Sequence, residues 1–478
     1  MTPTCQLLLP EIEELIASGS YGDLRDALHH VHPADVADLV NELGPKKGAV
    51  AFRFLARDDA ASAFPYLSAE TQEAIIAELG TEASAKMIEE MSADDRARLV
   101  DELPEAVAQR IVASLTPESR NEVQAILGYP EKSVGRIMTP DYVRISPEWT
   151  VSRALDHIRR YGRDAETINV IYVVDEQGRL VDDLRLRQVI LAPPDARVED
   201  LMNRSFVTLR ADQPREDAVR LMARYDRTAL PVVDSRGALI GIVTHDDVAD
   251  VAQIEATEDM QKMGGVAALE EAFDKASVFG LVKKRTPWLA LLFMSELLTS
   301  NALVYFDDQI ERAAILAVFL PAIISSGGNS GSQASTLVIR ALALGEVTLR
   351  DWWKVLRREL LVAGCLGLII GVIGLFRVNL WGWLGWWKRT EIDPETGQKI
   401  VNMSVQDHFV VLSTAISVSL FGVVLWGSIM GAMLPFVLKK CKLDPATSST
   451  PFVATLVDVT GIIIYFTVAS VILKGTLL

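Results

Sequence analysis

Cysteine is scarce: Cys5, Cys365 and Cys441 are the three in 478 residues, without metal-ligand spacing and without a disulfide framework. A reducing compartment suits such a chain. Basic charge is also short, 47 Lys+Arg against 63 Asp+Glu for a net of −16. That balance argues against nucleic acid as a partner, which needs a cationic surface. No nucleophile–base constellation, Walker motif or metalloprotease motif is present, so the chain reads neither as an enzyme nor as an ATP-driven pump. The first residues carry no basic segment followed by a long apolar run, so no signal peptide is expected and the chain is expected to start in the cytoplasm.

What is present is unevenly shared. Residues 1–282 hold 50 Asp+Glu and 30 Lys+Arg, whereas residues 283–478 hold 13 and 17. An acidic, soluble-type two-thirds precedes a greasy, slightly cationic remainder, and metal cations are the expected partners of the acidic part. Five apolar stretches, 287–306, 313–344, 360–380, 409–438 and 452–473, are long enough to cross a lipid bilayer, which takes ~20 helical residues. Lys283, Lys284 and Arg285 precede the first; Arg350, Lys354, Arg357 and Arg358 follow the second; Lys439, Lys440 and Lys442 follow the fourth. The positive-inside rule makes those ends cytoplasmic and puts Asp307, Asp308, Glu311, the 381–408 loop and the C-terminus outside. Trp381, Trp383, Trp386 and Trp387 then form an interfacial belt after the third stretch.

Three stretches carry groups that a lipid-facing helix does not want. Asp458 lies six residues past Phe452, ~9 Å into the last stretch. An ionisable group there costs ~2.5–3.5 kcal/mol and normally faces a cavity or an ion pathway; a protonated carboxyl in a helix–helix hydrogen bond is the alternative. Glu296 in the first stretch poses the same question, with Ser295, Thr299, Ser300 and Asn301 as possible polar company. The second stretch holds Ser325-Ser326-Gly327-Gly328-Asn329-Ser330-Gly331-Ser332-Gln333. Gly327 and Gly331 make a GxxxG pair that would serve helix packing alone, but the amide and hydroxyl groups add what packing does not require and favour a pore.

Residues 1–130 read as helices. The segments 34–43, 70–79 and 94–103 share an apolar pair followed by x-Glu-Leu, which suggests a stacked helical array with acidic faces outward. A second repeat follows. Ile137-Met138-Thr139-Pro140 with Val143-Arg144-Ile145 returns as Leu201-Met202-Asn203-Arg204 with Val207-Thr208-Leu209, and each copy leads through a helix to an apolar strand ending in a turn, at Asp175-Glu176-Gln177-Gly178 and Asp234-Ser235-Arg236-Gly237. This pattern resembles a tandem pair of CBS domains. Gly241-Ile242-Val243-Thr244-His245-Asp246-Asp247 matches the family's Gly-x-x-Thr-x-x-Asp, and the resemblance implies Thr244 and Asp247 as contacts for the phosphate and ribose of ATP or another adenosine nucleotide. The first copy, Asp182-Asp183-Leu184-Arg185-Leu186-Arg187-Gln188, lacks both residues.

A helix is predicted over 254–278, and Glu255, Glu258 and Asp259 share one of its faces, with Asp246, Asp247 and Asp250 just upstream. A solvated charged face is the simpler reading of any one acid. As a cluster they matter more: two carboxylates ~6 Å apart at an effective dielectric of ~20 repel by ~3 kcal/mol, and several such pairs reach the ~5.5 kcal/mol that swings a two-state equilibrium. Divalent cations would remove that repulsion, and oxygen-only ligands favour Mg²⁺ or Ca²⁺.

The order of parts is a multidomain one: an all-α helical-repeat N domain (1–130), an α/β CBS pair (131–253), a connecting helix (254–282) and an α-helical transmembrane domain with five spans (283–478). It resembles the MgtE family of magnesium channels over essentially the whole chain. Arg285-Thr286-Pro287-Trp288, the 327–333 segment and Pro451-Phe452-Val453-Ala454-Thr455-Leu456-Val457-Asp458-Val459-Thr460-Gly461 carry the match. The resemblance implies a homodimer in the cytoplasmic membrane, with two copies of Asp458 holding a largely hydrated Mg²⁺ and with Gly328, Asn329, Ser330, Gln333, Ala454 and Thr455 lining the path. It also implies that cytosolic Mg²⁺ bridges Asp94, Asp95, Glu216, Asp226, Asp247, Asp250, Glu255, Glu258 and Asp259 to hold the pore shut. Two readings of other classes stand beside it: a coupled exchanger or carrier of Co²⁺ or Mn²⁺ with Glu296 as proton relay, and a membrane sensor that does not transport.

Overall fold

The computed structural model describes residues 3–269, 273, 276–386, 389–392, 399–402, 408–447 and 450–477. It divides into two compact units, 1–253 and 254–478. Trp387, placed in the aromatic belt above, lies outside the described residues.

In the first unit, residues up to Leu127 fold into short helices, and the three sequence repeats become Pro33–Glu42, Ala69–Leu79 and Ala93–Glu102. Their apolar positions, among them Leu39, Val40, Ile75, Ile88 and Leu99, share one core with Phe52 and Phe64. An internal arginine closes successive helix ends. Arg96, 6% exposed, donates to the carbonyls of Ile88, Glu89 and Met91, and Arg120 donates to those of Val112, Ala113 and Leu115. A guanidinium suits this place because it meets orphan carbonyls at the negative end of the helix dipole. The acidic faces are not uniformly outward, contrary to the repeat's expectation: Asp94 is 9% exposed.

The repeat after residue 131 gives two three-stranded sheets of the same order. In each, a short strand runs parallel to a central one, which pairs antiparallel with the third: Tyr142–Ile145, Thr167–Val174 and Leu180–Arg185, then Leu209–Arg210, Ala229–Val233 and Leu239–Thr244. The two hairpin tips join, Leu180 N to Gly237 O and Leu239 N to Gly178 O, where both glycines take the positive φ that the turns require. Thr139 and Ile242 exchange backbone bonds across the copies. At the reciprocal place the Asp182 carboxylate accepts from Asn203 N and Arg204 N instead.

The helix expected over 254–278 begins at His245 and ends at Met263. Gly265, with φ +73°, stops it: Val266 N bonds to Gln261 O and Gly265 N to Lys262 O, the paired bonds of a Schellman ending. In the second unit the five membrane-length helices are Val278–Tyr305, Ile315–Ala343, Trp352–Trp383, Phe409–Lys440 and Thr450–Ile472, here spans one to five. Spans one and three begin well before their apolar stretches, because hydropathy sees only the part of a helix that sits in lipid. Residues 389–392 and 399–402 pair as a two-stranded ribbon.

Spans two and four meet backbone to backbone. A Cβ at Gly427 would collide with the Gly327 carbonyl, and one at Gly431 with that of Gly331. So Gly327 and Gly331 do pack helices, as the GxxxG alternative held. Gly431→Ala should cost on the order of 1–3 kcal/mol through overpacking. The check is a lowered thermal unfolding midpoint of the solubilised chain, with Gly364→Ala, whose Cβ meets open space, as the unaffected control.

Candidate functional site

The polar run in span two stays helical, and its residues divide by face. Gly327 and Gly331 press on span four, whereas the next position, Gly328, faces span five: a Cβ there would lie 3.4 Å from that of Ala454 and 3.7 Å from Asp458 Oδ1. The absent side chain therefore leaves room beside the carboxylate. Asp458 is half-buried, and among the described residues none donates a hydrogen bond to it, so its lone pairs are left for water or a hydrated ion. Among the described residues, no helix–helix hydrogen bond to Asp458 is made. Glu296 on span one is close enough to act electrostatically on Asp458.

The other path candidates differ. Asn329 and Gln333 are exposed, Asn329 Nδ2 reaching Ser325 Oγ at 3.3 Å. Ser330 turns to span four and shares a hydrogen with Ser428 Oγ at 2.5 Å. Thr455 is 8% exposed and donates to its own helix at Pro451 O. Of this set, Gly328 and Ala454 stand against Asp458.

In the first unit, the first turns of two helices oppose like charge. Asp94 and Asp95 open Ala93–Glu102, and Asp246 and Asp247 open His245–Met263. The positive ends of both helix dipoles favour anions there, yet four carboxylates exceed what two dipoles offset. Asp141 and Glu166 join them, linked by Glu166 N to Asp141 O at 2.9 Å. Burial first, then the charge of Asp94 and Asp246, pushes Asp247 up to about 8. Burial with Asp94, Asp246, Asp95 and Asp141 around it brings Glu166 to about 7. Asp95 is raised by burial although Arg98 pairs with it at 2.6 Å. The Asp94 Oδ1 atom is buried without a hydrogen-bond partner. Thr244 Oγ1 lies 2.5 Å from Asp246 Oδ1 and 2.6 Å from Asp247 Oδ2. A hydroxyl has one hydrogen, so Thr244 cannot fully satisfy both carboxylates.

Asp250 belongs to the same electrostatic neighbourhood through Tyr66. Glu216 and Asp226 are not brought together: they stand at opposite ends of the helix Arg215–Tyr225, ~15 Å apart. Glu216 Oε2 is buried without a partner, and Asp226 is an exposed left-handed cap. In the second unit, Glu258 meets a fixed cation: Lys262 Nζ lies 2.6 Å from Glu258 Oε1 and 2.6 Å from Asp444 Oδ2, in the turn before span five. Burial and then Asp444 raise Asp259 to about 6, with Glu255 and Glu258 adding to it. Sequence reasoning missed Asp141, Glu166 and Asp444; only Lys262, four residues after Glu258, left a local signal.

A half-buried acid between membrane helices, in a chain whose other unit is crowded with carboxylates, points to a membrane transport protein for a cation. Family models agree: a divalent cation transporter domain matches residues 320–468, the MgtE intracellular N domain 31–132, and CBS domains 134–194 and 198–253. The chain is similar to the magnesium transporter MgtE of Bacillus subtilis (30% identical, covering 97% of each chain) and to that of Thermus thermophilus (40% identical, covering 77% of this chain and 76% of the other). It also resembles a crystallised cytosolic domain of the Mg²⁺ channel MgtE in complex with ATP, at 40% identity and a TM-score of 0.49, covering 51% of this chain and 100% of that one. The chain belongs to the MgtE family of magnesium transporters. It is a transporter, not an enzyme, with five candidate spans and a cytoplasmic N domain.

The raised acids fix the sign of a pH effect. Asp247 and Glu166 bind protons more tightly folded than unfolded, so their contribution to stability is full below about pH 4 and is lost as pH rises through 7 to 8. In EDTA the unfolding midpoint of the chain should fall between pH 5 and 8.5, and millimolar Mg²⁺ should flatten that fall. A midpoint equally steep with Mg²⁺ would show that no cation takes the protons' place.

Proposed function

We propose that the chain is a Mg²⁺-selective gated channel that imports Mg²⁺ down its electrochemical gradient and closes when cytosolic Mg²⁺ binds its acidic clusters. It works as a homodimer in the cytoplasmic membrane, N-terminus inside and C-terminus outside, with the ion path between the two membrane domains. The observation that carries this reading is Asp458 beside Gly328, a carboxylate to which no described residue donates and which faces a residue without a side chain. Mg²⁺ surrenders water reluctantly, so a weak grip through its hydration shell lets it enter and leave again.

The brake follows from charge. One helix, His245–Met263, carries Asp247 and Asp250 near its start and Glu255, Glu258 and Asp259 near its end. Mg²⁺ binding Asp247 together with Asp94 and Asp95 near one end, and Glu255, Glu258 and Asp259 near the other, removes repulsion and holds the helix; when Mg²⁺ falls, the acids repel and the helix is released. The buried, partnerless Asp94 Oδ1 supports a cation at this place. Thr244 and Asp247 are also the candidate contacts for an adenosine nucleotide, whose phosphate would there face Asp94, Asp95 and Asp246 and so need a cation beside it. A proton-coupled carrier of Co²⁺ or Mn²⁺ stays as the second reading because Glu296 shares the field of Asp458.

Ion flux in liposomes containing the full chain tests both parts. Asp458→Asn should lower Mg²⁺ flux at least tenfold while assembly is unchanged, and the current should reverse at the Mg²⁺ equilibrium potential whatever the proton gradient. A reversal that follows pH selects the coupled carrier. The combined variant Glu255→Gln, Glu258→Gln, Asp259→Asn should need several-fold more internal Mg²⁺ to close, and closure as ready as the parent's sinks the brake.

A further inference from the structure

Span three starts eight residues before its apolar stretch, and that early segment carries Lys354, Arg357 and Arg358, with Arg350 in the preceding turn. All four are exposed, and among the described residues none makes an ion pair. Trp352 and Trp353 beside them are 49% and 58% exposed. Lys354, Arg357, Leu361, Leu368 and Leu375 recur at steps of three, four, seven and seven, so they share one helix face. Leu361 and Leu368 are 70% and 63% exposed, so the cationic end lies in line with an apolar face that no described segment covers.

Further along that face a groove of about 230 Å³ opens between spans three and four. Gly367 and Gly371 form its floor: they let the helices approach until a Cβ at either would stand 3.1 Å from the backbone of Phe421 or Ser417. Leu368, Val372 and Val418 form its apolar rim. Leu368 is eleven residues past Arg357, ~16 Å deeper along the helix, about the thickness of one leaflet's hydrocarbon layer. Asp351 and Glu359 act on Lys354 and Arg358 from a distance, but three cations exceed two acids; surplus positive charge at the surface and an apolar trough one acyl-chain length beneath it match the two ends of one molecule.

We propose that the face of span three from Lys354 to Val372 holds an anionic phospholipid, its headgroup phosphate on Lys354, Arg357 and Arg358 and one acyl chain in the Gly367–Gly371 groove. The cations select charge, since each basic group near an anionic headgroup strengthens binding by about fivefold, and the groove selects lipid over a free anion. Neither part takes a role in the ion path.

Native mass spectrometry of the delipidated full chain, given dioleoylphosphatidylglycerol or dioleoylphosphatidylcholine in separate titrations, tests this. The parent should bind the glycerol lipid at least tenfold more tightly than the choline lipid. Lys354→Gln, Arg357→Gln, Arg358→Gln combined should erase that preference, and Val372→Trp, which fills the groove, should weaken both lipids with the charges intact. Arg340→Gln, an exposed cation on span two, should change nothing. Equal binding of the two lipids by the parent, or an undiminished preference in the triple variant, overturns the proposal. So does displacement of the lipid by inorganic phosphate as effectively as by more lipid, or a Val372→Trp chain that loses a partner copy instead of a lipid. The three cations are exposed, so the triple variant decides the matter even where Val372→Trp does not fold.

Discussion

Carboxylates held together with too few fixed cations set the terms for this molecule. Around Asp94 the structure gathers Asp95, Asp141, Glu166, Asp246 and Asp247, with Arg98 paired to one of them. At an effective dielectric of ~20, each neighbouring pair ~6 Å apart costs ~3 kcal/mol. Such a group has two ways out, protons or a cation. The raised Asp247 and Glu166 are the proton solution. A divalent ion delivers the same neutralisation as two protons and, unlike them, pulls several oxygens toward one point.

The second acidic group is built on different terms. Lys262 lies between Glu258 and Asp444 and already supplies one unit of positive charge. The ammonium is mobile on its stem and makes point contacts, so it offsets charge without imposing a ligand geometry. The two groups on His245–Met263 therefore differ in what they ask of a cation: the first lacks most of its counter-charge, the second needs the remainder. A hierarchy of cation demand follows from where one lysine falls, four residues after a glutamate.

Much of this was legible in the order of residues. Membrane stretches announce themselves by length and apolarity, and the CBS repeat by its recurring strand and turn, because both are local patterns. Asp458 stood out because an acid in lipid is costly enough to need a reason. The rest depends on distance in space. Nothing near Glu166 in sequence marks it as the neighbour of Asp94, and Asp444 is joined to Lys262 across 182 positions. Helix ends were misjudged where hydropathy is silent: Gly264-Gly265 stops the connecting helix early, and the charged start of span three continues a helix beyond the lipid. The polar run of span two carried both of its competing meanings at once, with Gly327 and Gly331 against span four and Gly328 toward Asp458.

One ion can be passenger and brake only if the two kinds of site hold it differently. A hydrated Mg²⁺ stays some 5 Å from a carboxylate's charge, where each carboxylate contributes ~3 kcal/mol per unit of ion charge at a dielectric of ~20. Asp458 offers one such group per chain, and no described residue donates a hydrogen bond that would sharpen its geometry. The Asp94 cluster offers several, buried, with an oxygen that has no other partner. In the proposed function, affinity therefore rises from the path to the cluster while the chemistry of the ligand stays the same. On that proposal the number of carboxylates, rather than their kind, separates passage from arrest.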